Sequence, residues 1–401
     1  MTAHGSPIRI AMVGAGTMAA AHSAALTMVG PLFPSVPLRP RLVAVTDVNT
    51  SLAIAVAARF GYERVEADWR RAVEAADVDL VVACLPPIAN HEVVLAAAAA
   101  GKHVVCEKPL AESAAAAAVL LAACRAAGVF HGLGAAYRWT PALRAIRGLI
   151  ERGDLGEVRS LQASFMLDYA ADPDVPLLWR FRRSVAGGGI AIDTGYHVVD
   201  CARFLVGEIK AVQSLTSTFI TERPLPAEGA IGNLGGGGQS RSSDAARGPV
   251  DVEDAAAALV TFEGGGYGVL ETSRVAIGRR VSLRIEVFGS LGSAGWDFEQ
   301  PDEFRVCLPG DPSTFGYRRV LVNATHPGAA ELLIGGADGT SIGWLGQECA
   351  MWAEFLSAIA EGRQAHADFE DGVRANAVID AIYAAATSGR RTAVTAPAAV
   401  G

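Results

Sequence analysis

Three residues in this chain carry groups suited to taking a proton from a hydroxyl and steadying the charge left behind: Lys108, Asp193 and His197. Asp193 and His197 are four apart in Gly187-Gly188-Gly189-Ile-Ala-Ile-Asp193-Thr-Gly195-Tyr-His197-Val-Val-Asp200. On a helix that spacing puts both on one face, and a carboxylate beside an imidazole supports proton transfer near neutral pH. Asp200 falls on nearly the same face and is read only as a capping or pairing group. Lys108 stands in Glu107-Lys108-Pro109, directly after the apolar run Val104-Val105-Cys106. If that run is a strand of a parallel sheet, Lys108 lies outside its carboxyl end, where such sheets bind ligands. An ammonium there can bond to a hydroxyl and favour a developing alkoxide.

A second set of residues fits a dinucleotide. Gly14-Ala15-Gly16-Thr17-Met18-Ala19 lies between an apolar strand, residues 8–13, and an Ala-rich helix from about Met18 to Met28. In that context Gly14 allows the tight turn and Gly16 lets backbone approach a pyrophosphate. Ala19 is small enough for close helix packing, and the free N–H groups of the helix start face the phosphates. Asp47 ends the next strand, Leu42 to Thr46, where its carboxylate can accept from both ribose hydroxyls and would repel a 2′-phosphate; NAD is favoured over NADP. The acidic residue usually comes about 20 residues after the first glycine. Here it comes later, and the stretch 30–40 with Pro31, Pro34, Pro37 and Pro40, read as a loop, accounts for the excess.

These residues need elements to hold them. A helix over about 51–60, a strand Leu80 to Cys84, Pro86-Pro87 opening a helix to Ala100, the strand 104–106 and a helix reaching Ala127 continue the alternation that marks a parallel sheet with right-handed crossovers. After about residue 135 strands follow one another at 158–167, 209–221, 255–262, 266–274, 281–288 and 304–307, with a helix near 194–206. That pattern predicts a mostly antiparallel sheet. Residues 229–248, rich in Gly, Ser and Arg, read as a mobile loop, and two helices, about 347–361 and 370–388, close the chain. The expected architecture is α/β: a Rossmann dinucleotide-binding domain over 1–135, then an α/β domain with a large open sheet over 136–401.

Bulk properties narrow the function. The chain has 401 residues, 51% hydrophobic and 19% charged, so it can bury a large core. With a net charge of −8 and no basic stripe it is not expected to bind nucleic acid. Its apolar runs fall short of the roughly 20 residues of a membrane span. No secretory leader is legible at Met1 to Pro7. Cysteines 84, 106, 124, 201, 307 and 349 stand singly, with no C-x-x-C pair; they are expected to be buried reduced thiols in a cytoplasmic protein.

Several motifs together resemble the Gfo/Idh/MocA oxidoreductases, named for glucose–fructose oxidoreductase and inositol dehydrogenase. They are Gly14-x-Gly16-x-Met18-Ala19, Gly101-Lys102-His103-Val104 leading into Glu107-Lys108-Pro109, Tyr137-Arg138, Gly153-x-Leu155-Gly156, Trp179-Arg180, and the Gly187-Gly188-Gly189 run leading to Asp193 and His197. The resemblance runs from about residue 8 to 394. It implies catalysis by Lys108, Asp193 and His197, with His197 the general base. It implies cofactor contacts from Gly14, Gly16, Thr17, Met18, Asp47, Leu85, Pro86, Asn90, Glu107, Lys108, Trp179 and Arg180. Substrate contacts fall to Lys108, Tyr137, Asp168, Tyr169, Asp193 and His197. Further segments, among them Ala171-Asp172-Pro173, Leu178-Trp179-Arg180-Phe181 and Glu222-Arg223-Pro224-Leu225, resemble a branch that oxidises anhydrosugars. The chain departs from the family at Leu85-Pro86-Pro87, where Thr-Pro-Asn is frequent, and at Ala136, where Asn usually precedes the Tyr-Arg pair. Leu167 stands where an anhydrosugar reader would carry an amide.

The expectation is an NAD-dependent dehydrogenase that oxidises a secondary hydroxyl of a sugar, anhydrosugar or cyclic polyol, assembled as a homodimer or homotetramer. Two alternatives remain: a redox glycosidase of the same family, in which transient oxidation permits elimination, and a cofactor-sensing regulator that kept the fold without the chemistry.

Overall fold

The computed structural model describes residues 5–226, 246–338, 340 and 343–397. The chain divides into two compact units, one containing the residues up to Ala136 with Trp344–Arg374, the other Tyr137–Gly343 with Ala375–Ala396.

The first unit alternates β1 (Ser6–Val13), α1 (Thr17–Leu32), β2 (Leu38–Thr46), α2 (Thr50–Phe60), β3 (Arg64–Val65), α3 (Trp69–Glu74), β4 (Leu80–Ala83), α4 (Pro87–Ala99), β5 (His103–Glu107), α5 (Ala114–Ala127) and β6 (His131–Gly134). The strands form a parallel sheet in the order β3-β2-β1-β4-β5-β6. This is the expected Rossmann topology, with its switch point between β1 and β4. β4 is Leu-Val-Val-Ala, every residue buried, as a strand covered on both faces must be. The proline-rich stretch is less of a loop than its composition suggests. Pro31 sits within the last turn of α1, and β2 already begins at Leu38 with Pro40 inside it. Pro40 is tolerated because β3 pairs only with Ala44 and Val45, so no ladder partner needs a donor at Pro40 on that side.

In the second unit, α6 (Pro141–Glu151), α7 (Arg183–Ala186), α8 (Ile190–Asp193) and α9 (Gly195–Val206) accompany a nine-stranded sheet. Its strands are β7 (Val158–Met166), β8 (Ile209–Ser217), β11 (Ala255–Phe262), β12 (Tyr267–Ser273), β13 (Ser282–Gly289), β14 (Ser293–Asp297), β15 (Glu303–Cys307), β16 (Arg318–Leu321) and β17 (Thr392–Ala393). Their order is β16-β15-β14-β13-β7-β12-β11-β8-β17, and only β7 and β12 run parallel. β11 reads i-B-e-B-e-B-i-B in burial, so the sheet has one packed and one open face. Helices α6, α8 and α9 cover the packed face. A short ribbon, β9 (Glu222–Pro224) with β10 (Arg247–Pro249), takes the end of the expected loop into regular structure; the rest of that loop, 229–245, lies outside the described residues.

The closing helices are α10 (Trp344–Glu361) and α11 (Phe369–Ser388). Where a single range 136–401 expects both in the second domain, α10 belongs with the first unit and the division between units falls within α11. The reason is packing. α10 lies along α1, and Phe355 fills the space that Gly132 of β6 leaves open, a Cβ there coming within 2.7 Å of the ring. The six cysteines are all free, as expected, and all but Cys84 are buried.

Phe355→Ala should therefore destabilise the first unit, by about 3–5 kcal/mol for a large buried aromatic. Chemical denaturation followed by Trp352 fluorescence measures it. An unchanged midpoint would mean that α10 adds nothing to that core.

Candidate active site

The dinucleotide residues converge at the carboxyl ends of β1, β2, β4 and β5. Gly14 has φ +102°, and a Cβ there would stand 2.3 Å from the Cys84 carbonyl oxygen; only glycine fits between the ends of β1 and β4. Gly16 is the N-cap of α1 and no side chain caps that helix, so Thr17 and Met18 open a helix whose positive end is left to a phosphate. Asp47 is built into the turn. Its Oδ2 accepts from the Ala15 N–H at 2.7 Å and its Oδ1 from the Asn49 N–H at 2.8 Å. Each oxygen keeps a further lone pair for a ribose hydroxyl. Pro86 caps α4, next to Leu85. Asn90, on the first turns of α4, is 1% exposed, and its Oδ1 has no hydrogen-bond partner among the described residues. A buried acceptor left open is costly, and a ligand N–H would relieve it. These features fit a dinucleotide.

Glu107, expected to contact the cofactor, also has partners inside the protein. Its carboxylate is 4% exposed and already engaged within the protein: Oε1 with His22 Nε2 at 2.8 Å, Oε2 with the Lys108 N–H at 3.1 Å. It shapes the strand end beside Lys108, which is partly exposed.

In the second unit Asp193 and His197 do not share one continuous helix. α8 ends at Asp193 and α9 begins at Gly195, with Thr194 between them in helical geometry (φ −90°, ψ −24°). The His197 N–H bonds to the Thr194 carbonyl. The interruption still leaves the two residues about one turn apart. The start of α8 is capped from outside its own segment: Glu253 accepts from the N–H of Gly189 at 3.1 Å and of Ala191 at 3.0 Å, and Tyr383 Oη donates to it at 2.9 Å. Gly189 must be glycine, since a Cβ there would lie 2.2 Å from the Glu253 carbonyl oxygen. A carboxylate at a helix start is the favourable polarity.

The His197 ring is half-buried, edge-on to Tyr137 with centroids 4.8 Å apart and 5.8 Å from Phe165. Tyr137 is fixed by its neighbour. Arg138 makes a bidentate pair with Asp200, 2.9 Å from Nε to Oδ2 and 2.5 Å from Nη2 to Oδ1, nearly out of solvent. Asp200 is thus a pairing group, as its position suggested.

Trp179 and Arg180 form a short 3-10 turn, the guanidinium 4.2 Å above the indole ring. Arg180 Nε lies 3.5 Å from Asp193 Oδ2. The structure therefore brings Arg180 together with a catalytic candidate, where the family pattern implies a cofactor contact. Tyr169 also faces Asp193; burial first, and then that charge, push its phenol up to about 12. Its hydroxyl has no hydrogen-bond partner among the described residues. Asp168 is drawn to the turn after β12, accepting from the Gly278 N–H at 3.3 Å and Arg280 Nη1 at 3.4 Å. Leu167 is buried.

Sequence reasoning missed His22, Trp352, Glu253 and Arg274. Each acts on a partner far along the chain, and no local pattern marks it. Among the described residues there is no cluster of metal-ligating side chains and no helix long and apolar enough to cross a membrane.

Comparison with known proteins bears on the fold and the family. Residues 8–134 match the oxidoreductase family model described as an NAD-binding Rossmann fold, and 143–295 match the GFO/IDH/MocA C-terminal domain. Levoglucosan dehydrogenase of Pseudarthrobacter phenanthrenivorans is 35% identical over 382 residues, 94% of this chain and 96% of that protein. Myo-inositol 2-dehydrogenase of Thermotoga maritima is 29% identical over 286 residues, 71% of this chain and 74% of that protein. Among solved structures, levoglucosan dehydrogenase in complex with NADH and L-sorbose superposes with a TM-score of 0.91 at 33% identity, covering 97% of this chain and 99% of that one.

Val48, beside Asp47, is fully exposed (106%), so an arginine has room there. The double variant Asp47→Ser, Val48→Arg should shift the NADP-to-NAD ratio of kcat/KM upward by about tenfold or more, because the arginine would pair with a 2′-phosphate that the serine no longer repels. Initial rates with both cofactors measure it. A native protein that already prefers NADP would remove the role given to Asp47.

Proposed function

The chain belongs to the GFO/IDH/MocA family of oxidoreductases, which have an NAD-binding Rossmann fold, and from that premise we propose that it oxidises a secondary hydroxyl of a sugar, anhydrosugar or cyclic polyol to a ketone. The observation that carries this reading is His197: a half-buried imidazole held edge-on by Tyr137, one turn from Asp193, on a helix anchored by the Arg138–Asp200 pair.

NAD, when bound, supplies the hydride acceptor. Gly14, Gly16, Thr17 and Met18 would hold its pyrophosphate, Asp47 its ribose, and Leu85, Pro86 and Asn90 the far end of the cofactor. His197 takes the hydroxyl proton as the carbon–hydrogen bond gives up its hydride and the C=O bond forms. The Lys108 ammonium stabilises the oxygen as negative charge develops on it. Asp193 orients the hydroxyl and sits near Arg180, which limits where its carboxylate can turn. Tyr137 walls the imidazole. Tyr169, beside Asp193, faces the remaining substrate oxygens, and Asp168 acts at the rim through the turn that holds it.

Levoglucosan, L-sorbose and myo-inositol head the substrate panel because relatives are named for them or solved with them. With NAD, at least one should give NADH, read by absorbance. Cleavage of a glycoside without NADH accumulation would instead indicate the redox-glycosidase reading, and NAD binding with no turnover of any sugar a regulator. His197→Ala should lower kcat by about 10²–10⁴-fold, the usual cost of losing a general base, while calorimetry shows NAD affinity within about threefold of native. Native turnover in a folded His197→Ala protein would take His197 out of the mechanism.

We also propose that the open face of the nine-stranded sheet joins subunits. Leu215, Leu259, Tyr267 and Val269 are exposed on it, with Leu259 directly opposite Val269 in the ladder. Adjacent apolar residues on an uncovered sheet face mark an interaction surface. Light scattering at micromolar concentration should give a dimer or tetramer, and Leu259→Asp should shift it toward monomer. A monomeric native protein would exclude the interface.

A further inference from the structure

His22 of α1 is fully buried, yet both of its ring nitrogens are engaged. The Trp352 indole N–H donates to Nδ1 at 3.0 Å, and Nε2 lies 2.8 Å from Glu107 Oε1. An indole nitrogen can only donate. Nδ1 must therefore present its lone pair, and the proton sits on Nε2, which donates to Glu107. The other oxygen of Glu107 accepts the Lys108 N–H at 3.1 Å. The result is one continuous relay, from indole to imidazole to carboxylate to the backbone of Lys108.

Its surroundings leave Glu107 little freedom. A Cβ on Gly134 would stand 2.5 Å from Glu107 Oε1, so β6 closes one side. The other titratable groups facing His22 are Cys84 and Glu348. Burial raises the Cys84 thiol, and burial pushes Glu348 up to about 7. Glu348 Oε2 lies 3.7 Å from His22 Nδ1. Glu348 approaches only the nitrogen that the indole already occupies, so Glu107, 2.8 Å from Nε2, is the carboxylate that the imidazole N–H serves.

Packing alone does not require this arrangement. A buried polar pair contributes little net stability compared with apolar residues of the same volume, and the surrounding positions of α1, β5 and α10, such as Leu26, Val105 and Leu356, are apolar. What an apolar residue at 22 could not do is hold the carboxylate that anchors the Lys108 amide.

We propose that His22 is a positioning residue for the oxidation: with its tautomer set by Trp352, it holds Glu107, and through Glu107 it fixes the point from which Lys108 reaches the substrate hydroxyl. This rests on the reading of Lys108 given above.

The test uses the full chain and three variants. His22→Leu removes both bonds. His22→Gln restores an N–H toward Glu107 and an acceptor for the indole. Trp352→Phe keeps an aromatic ring but frees the tautomer. Hydrogen exchange by mass spectrometry needs no substrate. In His22→Leu, exchange in the segment 104–111 should quicken at least about tenfold while the Gly14–Ala19 turn stays as in the native protein, and His22→Gln should return it close to native. With the sugar turned over best in the panel, kcat should fall about 10–100-fold in His22→Leu, the scale of a misplacement near 1 Å, with KM and NAD affinity within about threefold. Combining His22→Leu with Lys108→Ala should add nothing further, because both act through one group. If His22→Leu does not fold, Trp352→Phe carries the same readouts with a smaller shift. Native exchange at 104–111 in the folded variants overturns the proposal. So does native kcat in His22→Leu when Lys108→Ala is inactive. An active Lys108→Ala overturns the reading of Lys108 instead, and exchange alone then decides whether His22 holds that strand end.

Discussion

A carboxylate taken out of water costs several kcal/mol unless donors meet it, and the way this chain meets that requirement ties its site residues to its framework. Glu107 is met by His22 and the Lys108 amide, Asp200 by both arms of Arg138, and Glu253 by the N–H groups that start α8. Asp254 is met by Arg274 Nε at 2.8 Å and by the N–H groups of Phe219 and Ile220. Apart from the Lys108 amide, each of these partners is distant in sequence from the carboxylate it meets. The first three also stand next to a residue with a proposed role: Lys108 beside Glu107, Tyr137 beside Arg138, and Asp193 at the end of the helix that Glu253 caps. Removing one partner of such a pair would leave an uncompensated buried charge, far costlier than the pair's net contribution. The framework is therefore intolerant of change at these positions, and that intolerance keeps the site rigid.

The two units divide the work by sheet type. A parallel sheet covered on both faces exposes its chemistry only at strand ends, and every dinucleotide residue of the first unit is found there or on the helix that follows. The open sheet of the second unit has a free face. Its packed side carries the helices bearing Asp193 and His197, while Leu215, Leu259, Tyr267 and Val269 are exposed on the far side. The two proposals, proton transfer and subunit contact, thus concern opposite faces of the same sheet.

What was legible in the sequence follows from range. The Gly14–Met18 turn and Asp47 could be read because turn geometry and helix starts are local. Asp193 and His197 could be read from their spacing, even though the helix breaks at Thr194. Arg138 and Asp200 are 62 residues apart, and His22 and Trp352 are 330 apart; nothing local in either residue announces its partner. The strand Arg318–Leu321 was passed over because two of its four residues are arginines, and Ser293–Asp297 because a glycine interrupts its pattern. Both lie toward the β16 edge of the sheet, where pairing with the neighbouring strand decides structure more than propensity does. The placement of α10 was illegible for the same reason: its apolar face could have met either unit, and only the cavity above Gly132 and the His22 nitrogen select the first.

The segment that carries Tyr169, Trp179 and Arg180 is held mainly through its main chain. It has a small core of its own, in which Ala170, Leu177, Phe181, Val250 and Val252 are buried together. Two buried arginines clamp this core, Arg223 Cζ 4.1 Å and Arg274 Cζ 4.5 Å from the Phe181 ring centroid. Burial pulls Arg223 down to about 10, so it remains charged at neutral pH, and its guanidinium donates to the carbonyls of Ala170 and Asp172. Arg274 in turn donates to the carbonyl of Arg180 at 3.1 Å. Cation–π contact and backbone bonds act on the main chain and on one ring, so they hold the path of the segment without specifying its other side chains. Tyr169 and Leu167 can then vary on a fixed backbone, whereas Asp193 and His197 sit on helices whose caps and ion pairs depend on named side chains.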